Sequence, residues 1–268
     1  MTTIVILSVN NALPSGLMGM VDIFALSGLH FVQKSGDGAL SKVEWHPNVI
    51  LANHDGQPIT DGHGRIFEVD SDFASIKHCD AVLVPGFIPN GQGHPPKTTT
   101  DMLTSSWLAT QHKKGALMCG SCSGVFALGE AGLLNNRKCT TTWWLHDELK
   151  QRFPKANAVW ASELIDDNGI ITAGGPLSWV TIALHIVKKL AGIETAKVVA
   201  DFSVVDAIPK SQNLYVPEGY QASNNPFLAK AEYTIRKAHY QTMSAGDLAK
   251  IMAVSERTLN RKLKELTG

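Results

Sequence analysis

The hydrophobic pattern of the chain changes period several times. Short apolar runs at Ile4 to Val9, Val43 to Ala52, Ala81 to Val84, Ala116 to Cys119 and Gly169 to Ala173 read as strands. Between them, apolar residues recur at helical spacing over about Met20 to Leu29, Thr100 to Lys113, Ser123 to Ala131, Trp143 to Arg152 and Pro176 to Leu190. Continuous apolar runs are what strands need when both faces of a sheet are covered. The alternation therefore predicts an α/β domain over residues 1–205, a mainly parallel, flavodoxin-like sheet with helices on both faces. Ligands in such sheets bind beyond the carboxyl ends of the strands. Pro85-Gly86, the residues after Cys119 and Ala173-Gly174-Gly175 should converge there.

The pattern then breaks. "VDAIPKSQNLYVPEGYQASNNP", residues 205–226, holds three prolines and many polar residues, and predicts a linker over 206–225. A small all-α segment, 226–268, follows. Within it Ser244-Ala-Gly-Asp247 fits a capping box, in which the Ser hydroxyl and the Asp carboxylate satisfy free amides at a helix start. Leu248, Ile251 and Met252 are expected to point inward, Ala253-Val254 to turn, and Ser255 to cap the next helix. That is a helix-turn-helix layout. In "SERTLNRKLKEL", Leu259, Leu263 and Leu266 should face the core, with Arg257, Asn260, Arg261 and Lys264 on another face. Arg and Asn can pair bidentately with guanine and adenine in a major groove, and Lys can neutralise phosphate.

Charge sharpens that division. The chain is neutral overall, yet residues 226–268 carry 8 Lys/Arg against 4 Asp/Glu, a tail of +4 behind a body of −4. An anionic partner for the tail is the corresponding expectation, although a solvated helical face can also be this basic. With 44% hydrophobic and 18% charged residues the composition excludes a disordered chain or a fibre. The start, MTTIVILSVNN, offers no readable signal peptide, and no apolar stretch approaches a membrane span. Four cysteines in 268 residues make no disulfide framework, so a cytoplasmic location is expected.

The chemically pointed stretch is Gly120-Ser121-Cys122-Ser123-Gly124, set between a strand and a helix. A Gly-x-nucleophile-x-Gly pentad there is a sharp elbow, whose small residues let the backbone turn and present one side chain. A cysteine beside a helix N-terminus is expected to have a lowered pKa and to be the most reactive of the four thiols. Cys119 and Cys122 also form a C-x-x-C spacing, so a redox role stands as an alternative. Zinc is not expected, because Cys79 and Cys139 stand alone and the ten histidines are scattered. The "GFIPNGQGHPP" loop, 86–96, is either a pocket lid or an ordinary surface loop.

Residues 1 to about 205 resemble the PfpI-like (class-I glutamine amidotransferase-like) domain, and residues 226–268 resemble the first helix-turn-helix of an AraC-family DNA-binding domain. The pairing is that of the GlxA-type transcriptional regulators. The resemblance rests on "DAVLVPG" (80–86), "SCSGVFALGEAGLL" (121–134), "TTTWW" (140–144), "ITAGGPLSWVTIALHIV" (171–187) and "LAKIMAVSERTLNRKLKELTG" (248–268). It implies a cytoplasmic DNA-binding regulator, dimeric through its first domain, that senses a small molecule and needs no cofactor, metal or membrane. AraC-family domains carry two helix-turn-helix units, so by resemblance this sequence reads as cut after the first.

Departures from the family pattern bear on chemistry. In catalytically competent relatives the elbow cysteine works with a histidine and a carboxylate. The matching positions here are Thr142 and, near Gly16, the segment after the first strand. His146 and Asp22 are the nearest substitutes, and neither occupies the motif position. A cysteine without base or orienting acid is poorly equipped for hydrolysis. The resemblance thus implies a non-catalytic pocket at Gly86, Phe87, Cys122, Ser123, Thr142 and Trp143, suited to a carboxylate, amide or other small polar ligand. The enzyme alternative is a Cys122-dependent hydrolase or hydratase.

Overall fold

The computed structural model describes residues 1–28, 33–34, 40–41, 45–88, 95, 100–206, 211–216, 226–238 and 243–267. Its centre is a seven-stranded sheet built from β1 (Thr3–Leu7), β2 (Asn48–Asn53), β3 (Ser71–Asp72), β4 (Ala81–Val84), β5 (Leu117–Ser121), β6 (Leu164–Asp167) and β7 (Ile170–Ala173). The spatial order is β6-β7-β5-β4-β1-β2-β3, and every pairing is parallel except β6 with β7. This is the α/β architecture the apolar runs predict.

Alternation along the strands divides the core in two. Ile4 and Ile6 of β1 and Ala81 and Leu83 of β4 pack beneath α1 (Pro14–Leu26), α5 (Trp179–Ala191) and α6 (Ile193–Ser203). Val5, Leu7, Val82 and Val84 pack on the other face, against α2 (Met102–Lys113), α3 (Val125–Glu130) and α4 (His146–Arg152). Successive strand side chains point to opposite faces, so an uninterrupted apolar run feeds both layers.

Three elements differ from expectation. α1 begins at Pro14 rather than near Met20, with Pro14 in the first turn, where its missing N–H breaks no helical bond. Two glycines mask this start in the sequence, yet they have a packing role. A Cβ at Gly19 would collide with the Trp179 ring, and Gly16 lies beside the same indole. β6 is too polar to read as an apolar run; its Asp166 binds His185 and Lys189 of α5. Helix α6 follows α5 after the single Gly192, at φ 92°. The expected strand start at Val43 and most of the 86–96 loop lie outside the described residues.

The chain divides into two compact units, Met1–Gln212 and Asn213–Gly268. In the second, α7 (Pro226–Lys237), α8 (Ala245–Ile251) and α9 (Glu256–Thr267) share a core of Ala231, Leu248, Ala249, Met252 and Leu259. The Ser244–Asp247 capping box is formed, Ala253 turns the chain at φ 55°, and the Ser255 hydroxyl accepts from the Thr258 amide at 3.2 Å. Two expected core residues lie outside it. Ile251 is 50% exposed because the seven-residue α8 buries the face of Leu248, Ala249 and Met252 and leaves its flank open. Leu266 is 39% exposed, in the last turn of α9, beyond Leu259 and Leu263 where that helix meets the core.

Candidate functional site

The carboxyl ends of β1, β4, β5 and β7 open onto one set of loops. After β4 the chain is tied to the loop after β1: the Leu13 amide donates to the Gly86 carbonyl and the Ile88 amide to Asn11, both at 2.8 Å. β5 runs directly into a 3-10 turn, Cys122–Gly124, and then the six-residue α3. Cys122 turns this corner at φ 53°. A left-handed residue other than glycine costs about 1–3 kcal/mol and persists where surrounding packing enforces it. That packing is visible here. A Cβ at Gly124 would run into the carbonyl oxygens of Val84 and Pro85, and one at Gly86 would stand 3.2 Å from Cys122 Cβ. Only glycine lets the end of β4 and the elbow approach this closely.

Hydrogen bonds finish the clamp. Ser123 Oγ accepts from the Phe87 amide at 2.7 Å and donates to the Phe87 carbonyl at 3.0 Å. Thr141 Oγ1 donates to the Cys122 carbonyl at 2.7 Å, which places the 140–143 stretch beside the elbow. Thus Gly86, Phe87, Cys122 and Ser123 are brought together, with Thr142 and Trp143 on the adjoining segment. Phe87 contributes backbone, since its ring is packed in the core with Val5 and Val84. Trp143 is half-buried and stands edge-on to Trp144 at 5.1 Å.

The electrostatics depart from the expected reactive thiol. Burial pushes the Cys122 thiol up to about 11 from its ordinary 9.0, and the Ser123 amide and hydroxyl only partly offset this. Only one short turn of 3-10 helix and six residues of α3 follow, so desolvation outweighs the helix end. Cys79 is raised to about 12 and Cys139 to about 11 by the same cause, so ionisation does not set Cys122 apart. Cys119 is buried with Ile171 and Ile182 in the core beneath α5, and all four thiols are free.

Neither substitute partner reaches the thiol. His146 starts α4 with its ring edge-on to Trp160 at 5.1 Å, and burial holds its imidazole below the ordinary range. Asp22 is exposed on α1. Gly16 is buried, and a Cβ there would lie 2.9 Å from Pro85 Cβ. Among the described residues, Ser121 Oγ, Thr142 Oγ1 and the Trp179 indole nitrogen are buried without a hydrogen-bond partner. Each such group costs about 1–3 kcal/mol. No group of three or more metal-ligating side chains occurs among the described residues.

Sequence reasoning missed Gln212. It lies in the stretch expected as linker, yet it is only 6% exposed and its amide is lodged in this wall of the first unit. The one sequence signal is the run Thr140-Thr141-Thr142, whose backbone needs partners that no regular strand supplies.

The DJ-1/PfpI family model matches residues 38–189, which hold the sheet from β2 to β7 and the elbow. The chain belongs to the DJ-1/PfpI family. It is 29% identical to isonitrile hydratase of Pseudomonas putida over 56% of this chain and 63% of that protein. It is 26% identical to the HTH-type transcriptional regulator CdhR of Pseudomonas aeruginosa over 81% of this chain and 62% of that protein. The chain thus spans about six-tenths of the length of these curated relatives. A crystal structure of a THiJ/PfpI family protein from Pseudomonas syringae superposes with a TM-score of 0.62 at 17% identity, covering 97% of this chain and 89% of that one. Family membership carries the fold but spans both enzymes and regulators, so function rests on the site. No helix among the described residues is long and apolar enough to cross a membrane.

Proposed function

We propose that this protein is a DNA-binding transcriptional regulator. Its DJ-1/PfpI unit senses a small polar molecule at the Cys122 elbow, associates as a homodimer, and does not catalyse. Its second unit, over 226–268, reads DNA as one AraC-type helix-turn-helix.

The observation that carries this reading is the second helix of that unit. Leu259 anchors α9 in the core while Arg257, Asn260, Arg261 and Lys264 all stand exposed on the opposite side. Capping at Ser244 and Ser255 and the left-handed turn at Ala253 support the two-helix geometry that presents such a face to a groove. The regulator name of the CdhR relative agrees with it. Neutralised phosphates release counterions, so binding of the full chain to promoter-length DNA should weaken steeply between low and moderate salt. Absence of salt-dependent binding, even at high protein concentration, would sink the proposal.

A second reading, a Cys122-dependent enzyme, draws support from the strained elbow and from the hydratase relative. We place it second because the elbow thiol is buried, which holds it protonated, and it donates no hydrogen bond to a base among the described residues. Ligand sensing is supported by the same groups. Partnerless hydroxyls at Ser121 and Thr142 would gain hydrogen bonds from a polar guest.

A further inference from the structure

Gln212 is the last residue of the first unit, and its side chain is committed to one task. Nε2 donates to the Thr141 carbonyl at 2.9 Å and to the Ser162 carbonyl at 2.6 Å, while Oε1 accepts from the Trp143 amide at 2.9 Å. Its own backbone amide donates to Ala161, which is held at φ 50°. Both amide protons and the carbonyl oxygen are used. A flipped amide would set NH2 against the Trp143 N–H, so the network fixes its orientation. A Cβ at Gly174 would collide with the amide, so it lies flat on the loop leaving β7.

The segment Gln212 holds is the one bonded to the elbow. Thr141 binds the Cys122 carbonyl through its side chain and Gln212 through its carbonyl. Thr142, between the two bonded residues, keeps a buried hydroxyl without a partner. Cys122 and Ser123 are both buried, and the Cys122 carbonyl is tied to this segment by Thr141. A guest that takes the Thr142 hydroxyl must therefore move residues held by Gln212.

We infer that Gln212 is a latch: seating a polar group at the elbow shifts 141–143, breaks the Gln212 amide bonds, and frees the chain where it leaves the sensing unit toward residues 213–268. The inference rests on the sensing reading of the elbow. Coupling of this kind is reciprocal, so loosening Gln212 must expose Cys122, and filling the elbow must loosen Gln212. Gln212 acts through its neighbours and is a positioning residue.

Both directions are testable on the full chain with iodoacetamide, whose carbamidomethyl group is a small amide. The Cys122 thiolate displaces iodide, forming S–C as C–I breaks, and the thiol proton passes to buffer. Gln212→Met keeps the length and removes every side-chain bond. It should raise the alkylation rate of Cys122 relative to Cys79 about tenfold, the equivalent of one buried hydrogen bond. General loosening would instead accelerate both thiols alike and leave the ratio unchanged, which overturns the latch. The reverse direction needs no variant. Carbamidomethylated wild-type protein should show faster amide exchange by NMR at Gln212 and Trp143 than untreated protein, and unchanged exchange there also overturns it. DNA affinity is a separate readout. Coupled exchange without any DNA binding would uphold the latch and count against the regulator reading alone.

Discussion

Gly16 and Pro85 meet so closely that a Cβ added at Gly16 would lie 2.9 Å from Pro85 Cβ. By the resemblance to competent enzymes an acid is expected near this position, and here the space is closed as well as the carboxylate missing. Gly16→Asp should therefore lower stability by about 1–3 kcal/mol through overpacking. Combining it with Thr142→His should not create turnover. Wild-type protein assayed on isonitrile, amide and glycated substrates should show no Cys122-dependent rate beyond about a hundredfold over background, the scale a single positioned acid or base supplies. A larger rate that disappears in Cys122→Ala would refute this.

The thiols predict a pH response with a definite sign. Cys122 is raised from 9.0 to about 11 in the folded state. Folding therefore favours its protonated form, and this contribution is complete below about pH 9 and lost as pH climbs toward about 11. Urea midpoints should fall across that window, and Cys122→Ala should reduce the fall. Alkylation of Cys122 at about pH 8 should be slow, because only about one thiol in a thousand is ionised there. Fast alkylation near neutrality would show that the elbow opens on its own.

Arg261 pairs with Glu265 at 2.8 Å on the surface of α9. Such exposed pairs contribute only about 0.3–0.5 kcal/mol, so Arg261→Ala should leave the unit folded. If Arg261 reaches a guanine, DNA binding should weaken by about 1–3 kcal/mol with relaxed preference at one base pair. If it touches phosphate, the loss should be uniform across sequences and the salt slope should drop by about 1. A promoter library titrated at two salt concentrations separates these outcomes; no effect on either would remove Arg261 from the interface.

Gly124 offers a stability test of the elbow. Gly124→Ala drives a methyl group into the Val84 and Pro85 carbonyls, both backbone and neither free to rotate away. A loss of about 1–3 kcal/mol or more is expected, read as a lower urea midpoint at unchanged slope. Gly64→Ala is the matched control: no atom lies within 4 Å of its added Cβ, and only the strain of its φ of 82° applies.

Parallel strands were legible because burial on two faces writes itself as an unbroken apolar run, as in Ala81 to Val84. The caps of α8 and α9 were legible for a local reason, since Ser244 and Asp247, like Ser255 and Thr258, bond within four residues of each other. What stayed hidden depends on partners far along the chain. Gly16 and Gly19 look like helix breakers until Trp179 fills the space above them. Gln212 looks like linker until its amide is matched to carbonyls about 50 and 70 residues upstream. The raised Cys122 pKa was hidden for a related reason: motif spacing places a thiol beside a helix end, but only three-dimensional burial fixes how much water reaches it.

The two border strands of the sheet are both poor templates. On one side stands β3, a mere Ser71–Asp72, and on the other β6, whose Asp167 carboxylate accepts from the Lys138 amide while Asp166 is bound by α5. Short, aspartate-bearing borders of this kind give a stray strand no ladder to extend. Those two borders therefore offer a neighbouring copy little to zip onto when the protein is crowded.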